Sequence, residues 1–180
     1  RFSDKEVFID GGAYTGDTIL NFMHHVDGEY EKIYAFEPDP ETFSDLVRNF
    51  SNHPNVIPID KGLFSERTTL KFSDAGGRAS VFSEAGEISV PVTSIDEVLD
   101  GDRVSFIKMN IEGAEIEALK GARLSIEKWQ PKLAISVYHR PSDLWKIPKL
   151  IQSIDASYRI HLRQQDGGLI ESVCFGLARE

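Results

Sequence analysis

Two rhythms of apolar residues follow one another along the first part of the chain. Val7-Phe8-Ile9 is an unbroken apolar run that ends in Asp10 and the turn Gly11-Gly12-Ala13-Tyr14-Thr15-Gly16. Ile19, Leu20, Phe22, Met23 and Val26 then recur at helical spacing, so the segment predicts a buried strand, a tight loop and an amphipathic helix. The succession returns at once. Lys32-Ile33-Tyr34-Ala35-Phe36 predicts a second buried strand, closed by Glu37-Pro38. Asp39 is a good N-cap, Pro40 suits the first helical position, and Glu41 suits the positive end of the helix dipole. Phe43, Leu46, Val47 and Phe50 form the stripe that faces a core. Val56-Ile57-Pro58-Ile59 predicts a third strand, which Pro58 places at an edge or a strand end. Strand, helix, strand, helix, strand is the pattern of a parallel sheet with crossover helices.

From Asp60 to about Gly101 the rhythm changes. Thr68 to Phe72 and Ile88 to Val92 predict short strands around a Gly/Ser/Ala stretch, Ser73 to Gly86, which has no helical period and reads as a functional or unordered loop. Thr93 to Leu99 predicts a short helix. The sheet rhythm resumes with a fourth strand, Val104 to Met109, and the polar turn Asn110-Ile111-Glu112-Gly113. Ile116, Leu119 and Ile126 mark one following helix, in which Ala118, Gly121 and Ala122 are small enough for close packing. Leu133 to Tyr138 is a fifth strand, and His139-Arg140-Pro141 leave its carboxyl end. Ser142 or Asp143 caps the next turn, and Pro148 is expected to kink or restart the helix there. Tyr158 to Arg163 and Ser172 to Ala178 predict two last strands, linked through the hairpin signal Asp166-Gly167-Gly168. Trp129 and Trp145 read as core packing or a helix–loop staple, with a substrate contact as the other reading. There is no internal repeat and no sign of a second domain. We expect one α/β domain over 1–180, and the start at Arg1 rather than Met fits an excised part of a longer chain.

Composition narrows the partners. The 41% hydrophobic content is enough for a proper core, and a net charge of -9 argues against a nucleic-acid backbone, whose phosphates need a basic face. Cys174 is alone, so no internal disulfide forms, which fits a reducing, cytoplasmic setting. No apolar run approaches the roughly 20 residues that span a bilayer, and no membrane partner is expected.

In a parallel sheet the carboxyl ends of the strands lie along one edge, where ligands bind. Asp10, Glu37, Asn110 with Glu112, and His139 converge on that edge. Gly12 and Gly16 let the backbone approach a ligand, and free amides at the helix start face something polar or anionic; an ordinary tight turn is the plain alternative. Glu37 is placed to accept both hydroxyls of a ribose, or else is a solvated acid at a helix start. Asn110 and Glu112 offer an amide and a carboxylate beside the cofactor, and His139 a general base near neutral pH; a polar helix entry and a surface histidine are their plain readings. His24, His25, His53 and His161 show no metal-ligand spacing. No metal is expected, although acids at the site leave a magnesium ion open.

Two nucleotide cofactors suit a strand, glycine loop and helix with a ribose acid. Dinucleotides want G-x-G-x-x-G for their pyrophosphate, whereas here an acid precedes the turn. That acid suits a cofactor with cationic ends and no phosphate, and the electrostatics favour S-adenosylmethionine.

The blocks Phe8 to Thr18, Phe36-Glu37-Pro38-Asp39-Pro40, Phe106 to Glu115, Leu133 to Pro141 and Ile160-His161-Leu162-Arg163 together resemble the FkbM-type methyltransferases, in order and over nearly the whole chain. The resemblance implies a Rossmann-like class I methyltransferase fold, with a mostly parallel seven-stranded sheet, an antiparallel last strand and helices on both faces. It implies transfer of a methyl group from S-adenosylmethionine, typically to a hydroxyl oxygen of a sugar, glycan or secondary metabolite. Asp10, Gly11, Gly12, Ala13, Tyr14, Thr15 and Gly16 fall in the first cofactor motif, Glu37 on the ribose-binding acid, and Asp60 near the adenine by topology. Asn110 stands where the family has an aspartate, which weakens any metal-binding or base role there. His139, and after it Glu112, are the candidate bases. A nicotinamide-dependent oxidoreductase and a domain that binds S-adenosylmethionine without catalysis are the rival readings.

Overall fold

The computed structural model describes residues 2–3, 5–73, 81–82, 88–164 and 171–179. The first half follows the predicted rhythm: β1 (Val7–Gly11), α1 (Asp17–His25), β2 (Lys32–Phe36), α2 (Pro40–Asn49) and β3 (Val56–Ile59). The Asp39 side chain caps α2 by accepting from the Thr42 amide, with Pro40 in the first turn. Then come β4 (Gly62–Leu63), β5 (Thr68–Ser73), β6 (Val81–Phe82), β7 (Ile88–Thr93) and α3 (Ile95–Leu99). The chain closes with β8 (Phe106–Met109), α4 (Glu115–Lys120), α5 (Arg123–Trp129), β9 (Lys132–Ser136), α6 (Asp143–Ile154), β10 (Arg159–Gln164) and β11 (Ser172–Leu177).

Seven strands form one sheet in the order β10-β11-β9-β8-β1-β2-β3. Neighbours from β9 to β3 pair in parallel, and β11 runs antiparallel to both β9 and β10. Pro58 sits in the edge strand β3, where its missing N–H costs no ladder bond. Successive residues of β1 face opposite sides of the sheet. Val7 and Ile9 join the core built with Leu119, Ile126, Ile147 and Ile151 of the later helices. Phe8 joins the core built with Ile19, Phe22 and Leu46 of α1 and α2. Both faces are therefore covered, as the apolar central strands require. No described helix is long and apolar enough to cross a membrane.

Several expectations need correction. The single helix expected after the fourth strand is two, α4 and α5. A Cβ on Gly121 would run into the Phe64 carbonyl, and the Gly121 carbonyl accepts from the Asp96 amide at 2.9 Å instead of continuing a helix. The Asp96 carboxylate then accepts from the Leu124 and Ser125 amides, both at 2.9 Å, and so starts α5 afresh. Pro148, by contrast, does not restart α6, which runs as one helix and packs through Ile147, Ile151 and Ile154. The amide that proline lacks would have served the carbonyl of Leu144, a residue open to water. Ser142 holds the cap position without a side-chain capping bond. The short strands after Asp60 belong to a separate sheet, β4-β7-β5-β6. Of the Ser73 to Gly86 loop, only Ser73 and the strand pairing of Val81–Phe82 are described; the rest of that expectation, and the Asp166-Gly167-Gly168 turn, lie outside the described residues. Leu20, Val47, Trp129 and Trp145 are exposed, not packed inside.

Candidate active site

Residues two apart on a strand point the same way, so Phe8 and Asp10 share a face. In the β1–β8 register Phe8 lies opposite Phe106 and Asp10 opposite Lys108. The two rings stack with centroids 4.7 Å apart. One step on, the Lys108 ammonium reaches the Asp10 carboxylate at 2.8 Å and donates to the Gly12 carbonyl at 3.0 Å. Asp10 is wholly buried, and its Oδ2 has no partner among the described residues. Burial pushes its carboxyl up to about 6 against the pull of Lys108, and the negative charges of Asp17 and Glu37 add to the rise. Sequence reasoning missed Lys108. The signal was there, as a lone cation inside the apolar run Phe106–Met109.

The glycine loop folds back over the end of β2. Gly12 and Ala13 both donate to the Phe36 carbonyl, at 3.1 and 2.9 Å, and Gly16 donates to the Ala13 carbonyl at 2.9 Å. The Tyr14 amide donates to Glu37 Oε2 at 2.9 Å. None of these four amides belongs to the first turn of α1, which starts at Asp17, and all four are already bonded within the fold. The cause is the register: Gly11 ends level with Phe36, so the turn must cross the last carbonyl of β2. Gly12, at φ +73, stands where a Cβ would run into the Asn110 carbonyl oxygen. Only glycine lets the loop pass so close to the turn after β8, to which the Asn110 amide ties it through the Gly11 carbonyl at 3.0 Å.

Glu37 is buried, and its second oxygen accepts from the Asp39 amide at 3.0 Å. Burial raises its carboxyl, opposed by those two backbone donors. Tyr14 adopts a positive φ of 51° and leaves its ring 62% exposed beside this acid. The Thr15 carbonyl accepts from Asn49 Nδ2 at 3.0 Å, pinning the loop to α2. Asp60 is exposed directly after Ile59, whose carbonyl accepts from the Glu37 amide at 3.1 Å. Asp10, Glu37, Asp60 and the loop thus do gather at one sheet edge.

Asn110, Glu112 and His139 form a second group beside them. Asn110 Oδ1 accepts from the Tyr138 hydroxyl at 3.0 Å and lies 2.9 Å from His139 Nε2. Its amide oxygen thus faces the segment that follows β9. Glu112, at a positive φ of 55°, is exposed and brings Oε2 to 3.6 Å from His139 Nδ1. Sequence reasoning missed two buried acids here. Glu115 Oε1 accepts from the Ile111 amide at 2.9 Å and stands 3.3 Å from His139 Nε2, while its Oε2 has no partner among the described residues. Burial raises its carboxyl. Asp143, at the start of α6, is buried with Oδ1 likewise unpartnered. Both look in the sequence like ordinary acids of a first helical turn, and only packing distinguishes them. Among the described residues no group of three or more His, Cys, Asp or Glu side chains is placed to hold a metal ion.

The edge therefore carries a negatively charged cradle beside an imidazole set among acids and an amide. The methyltransferase FkbM domain profile matches residues 10–164. The hexuronic acid methyltransferase AglP of Haloferax volcanii is 30% identical over 74% of this chain and 58% of its own length. Methyltransferase 1 of Beauveria bassiana is 27% identical over 71% of this chain and 62% of its own. The chain thus spans about three fifths of the curated relatives it matches. The crystal structure of a methyltransferase FkbM from Methylobacillus flagellatus is similar to this fold with a TM-score of 0.83 and 30% identity, covering 98% of this chain and 44% of that one.

Proposed function

The chain belongs to the FkbM methyltransferase family, and from that premise we propose that it moves a methyl group from S-adenosylmethionine to a hydroxyl oxygen of a sugar or related small molecule. The observation that carries the cofactor reading is electrostatic. The negative charges of Asp17 and Glu37 bear on Asp10, with the Lys108 ammonium pulling the other way at both Asp10 and Glu37, and the amides of Gly12, Ala13, Tyr14 and Gly16 are bonded within the fold. A pyrophosphate would meet repulsion from these acids. A cofactor with an ammonium and a sulfonium finds opposite charge. The residues fit it: Asp10 has an unpartnered carboxylate oxygen for a cationic end, and Glu37 keeps accepting capacity beyond its two backbone bonds for ribose hydroxyls. Gly11 to Gly16 line the approach, and Asp60 stands where the adenine falls by topology.

S-adenosylmethionine supplies the electrophilic methyl carbon. The chain's own part is to align the acceptor oxygen and take its proton, since an alcohol is a poor nucleophile while protonated. His139 is our candidate base, with Glu112 beside it. The sugar acceptor is supported by likeness to a relative named for hexuronic acid methylation.

Calorimetric titration tests the reading. S-adenosylmethionine is expected to bind in the micromolar range, Glu37→Ala to weaken it at least about tenfold, a step of 1.4 kcal/mol, and NAD not to bind. Methyl transfer is then sought with sugars, uronic acids first. Binding of NAD in place of S-adenosylmethionine would sink the proposal. Cofactor binding without transfer to any sugar would leave a binding domain as the better reading.

A further inference from the structure

We propose that Glu115 and Asn110 are positioning residues that fix the His139 imidazole with its proton on Nε2, so that Nδ1 is the atom that receives the acceptor's proton. The choice of Nδ1 as base rests on the methyl-transfer reading above; the tautomer does not. Nε2 lies 2.9 Å from Asn110 Oδ1 and 3.3 Å from Glu115 Oε1. Glu115 Oε1 already accepts the Ile111 amide. As a carboxylate oxygen, Oε1 keeps a further lone pair with which to accept the proton on Nε2. The Asn110 amide is oriented by the same requirement. Turned over, it would set an N–H against the N–H that Glu115 demands. As placed, its oxygen collects both the Tyr138 hydroxyl and the ring N–H.

A neutral imidazole carries one N–H, so a proton on Nε2 leaves the lone pair on Nδ1. Nδ1 has no hydrogen-bond partner among the described residues; Glu112 Oε2, at 3.6 Å, is beyond that reach. Glu112 therefore does not occupy the nitrogen that must accept a proton. In the step this allows, the acceptor O–H bond breaks and an N–H bond forms at Nδ1. The C–O bond forms as the carbon–sulfur bond breaks, with its electron pair passing to sulfur. The positive charge lost at sulfur reappears on the imidazolium, which later releases the proton to water. Asparagine at 110 suits this role, because an acceptor is needed there and a charge is not. One carboxylate, Glu115, sets both the ring and the turn that carries Asn110 and Glu112.

The test reads the ring directly in the whole chain, without cofactor. Long-range proton–nitrogen correlation spectra are recorded on protein labelled at the histidine nitrogens, at alkaline pH, with His139→Gln to assign the signals. The expected pattern is a protonated, pyrrole-type Nε2 and an unprotonated, imine-type Nδ1. Glu115→Ala combined with Asn110→Ala should shift both signals toward an average of two tautomers. Glu115→Gln, whose amide oxygen still accepts, should keep the native pattern. A protonated Nδ1 in the native chain overturns the proposal, as does a native pattern that survives the double substitution. The native spectrum decides even if the double variant does not fold, and it is independent of whether S-adenosylmethionine binds.

Discussion

Glu6 and Asp10 lie on the same face of the β1 segment, on either side of Phe8, and each is met by a lysine ammonium at 2.8 Å. Both carboxylates are buried. Their surroundings differ. Glu6, at the amino end, accepts from Lys132, from the Ser3 amide at 2.8 Å and from the Ser105 hydroxyl. Burial pushes its carboxyl up, but these bonds together hold it below the usual range. Asp10, at the carboxyl end, keeps an oxygen without a partner and sits among further negative charge, so burial prevails and its carboxyl rises to about 6. The same pair of residue types thus makes a closed structural tie at one end and an incomplete one at the other. An acid with every bond made has nothing left to offer a ligand. An acid short of a bond and rich in negative neighbours is suited to a cation.

The largest break in this comparison is Glu6→Ala. Removing one partner of a buried pair costs about 3–5 kcal/mol. Lys132 is 31% exposed, so water recovers part of that, and a loss of about 2–3 kcal/mol is expected. That is a fall in Tm of roughly 4–12 °C for a chain of this size. Affinity for S-adenosylmethionine should stay within about twofold while the protein is folded. Urea denaturation and calorimetry on the same sample separate the two.

Acidity divides the two ends by sign. Glu6 is lowered in the folded chain, so its contribution is present above its ordinary 4.5 and is lost as pH falls through the folded value. Asp10 is raised, so the folded chain binds its proton more tightly; that contribution is present below 3.8 and is lost as pH rises through about 6. The Asp10 effect is at most about 3 kcal/mol by linkage. Asp10→Asn removes it, and the variant should gain on the native chain in urea midpoint between about pH 4 and pH 7. A constant difference across that window would show that Asp10 ionises as an ordinary acid.

The same substitution sharpens the contrast through binding. Asp10→Asn keeps the shape and removes the charge, so affinity for S-adenosylmethionine should fall about ten- to a hundredfold, or roughly 1.4–2.8 kcal/mol. In the native chain affinity should rise with pH through about 6, as Asp10 ionises. Affinity insensitive to both changes would remove Asp10 from the cofactor site.

How much of this was legible in the sequence follows from where the determining contacts lie. Strands buried on both faces are unbroken apolar runs, and Asp39-Pro40 marks a helix start within a few residues, so β1, β2, α2 and β9 could be read locally. The break at Gly121 could not, because it depends on Phe64 and Asp96, which fold beside it from elsewhere in the chain. The site divides in the same way. Asp10, Glu37, Asn110, Glu112 and His139 end strands or follow them, so topology alone brings them to one edge. Lys108 is paired with Asp10 only by register, and Glu115 and Asp143 became site residues only by burial.

The smallest expected effect tests whether the incomplete end is also held under strain. Tyr14 has φ 51°, a left-handed conformation that costs a side-chain-bearing residue roughly 1–2 kcal/mol. Its ring is 62% exposed and so contributes little packing. Tyr14→Gly relieves the strain, and the greater freedom of glycine in the unfolded chain offsets part of the gain, so a stabilisation of up to about 1 kcal/mol is expected. If the ring covers the nucleoside, the same change weakens S-adenosylmethionine binding, and stability and affinity move in opposite directions. If both fall together, Tyr14 supports the fold, and the contrast between the two ends of β1 rests on the carboxylates alone.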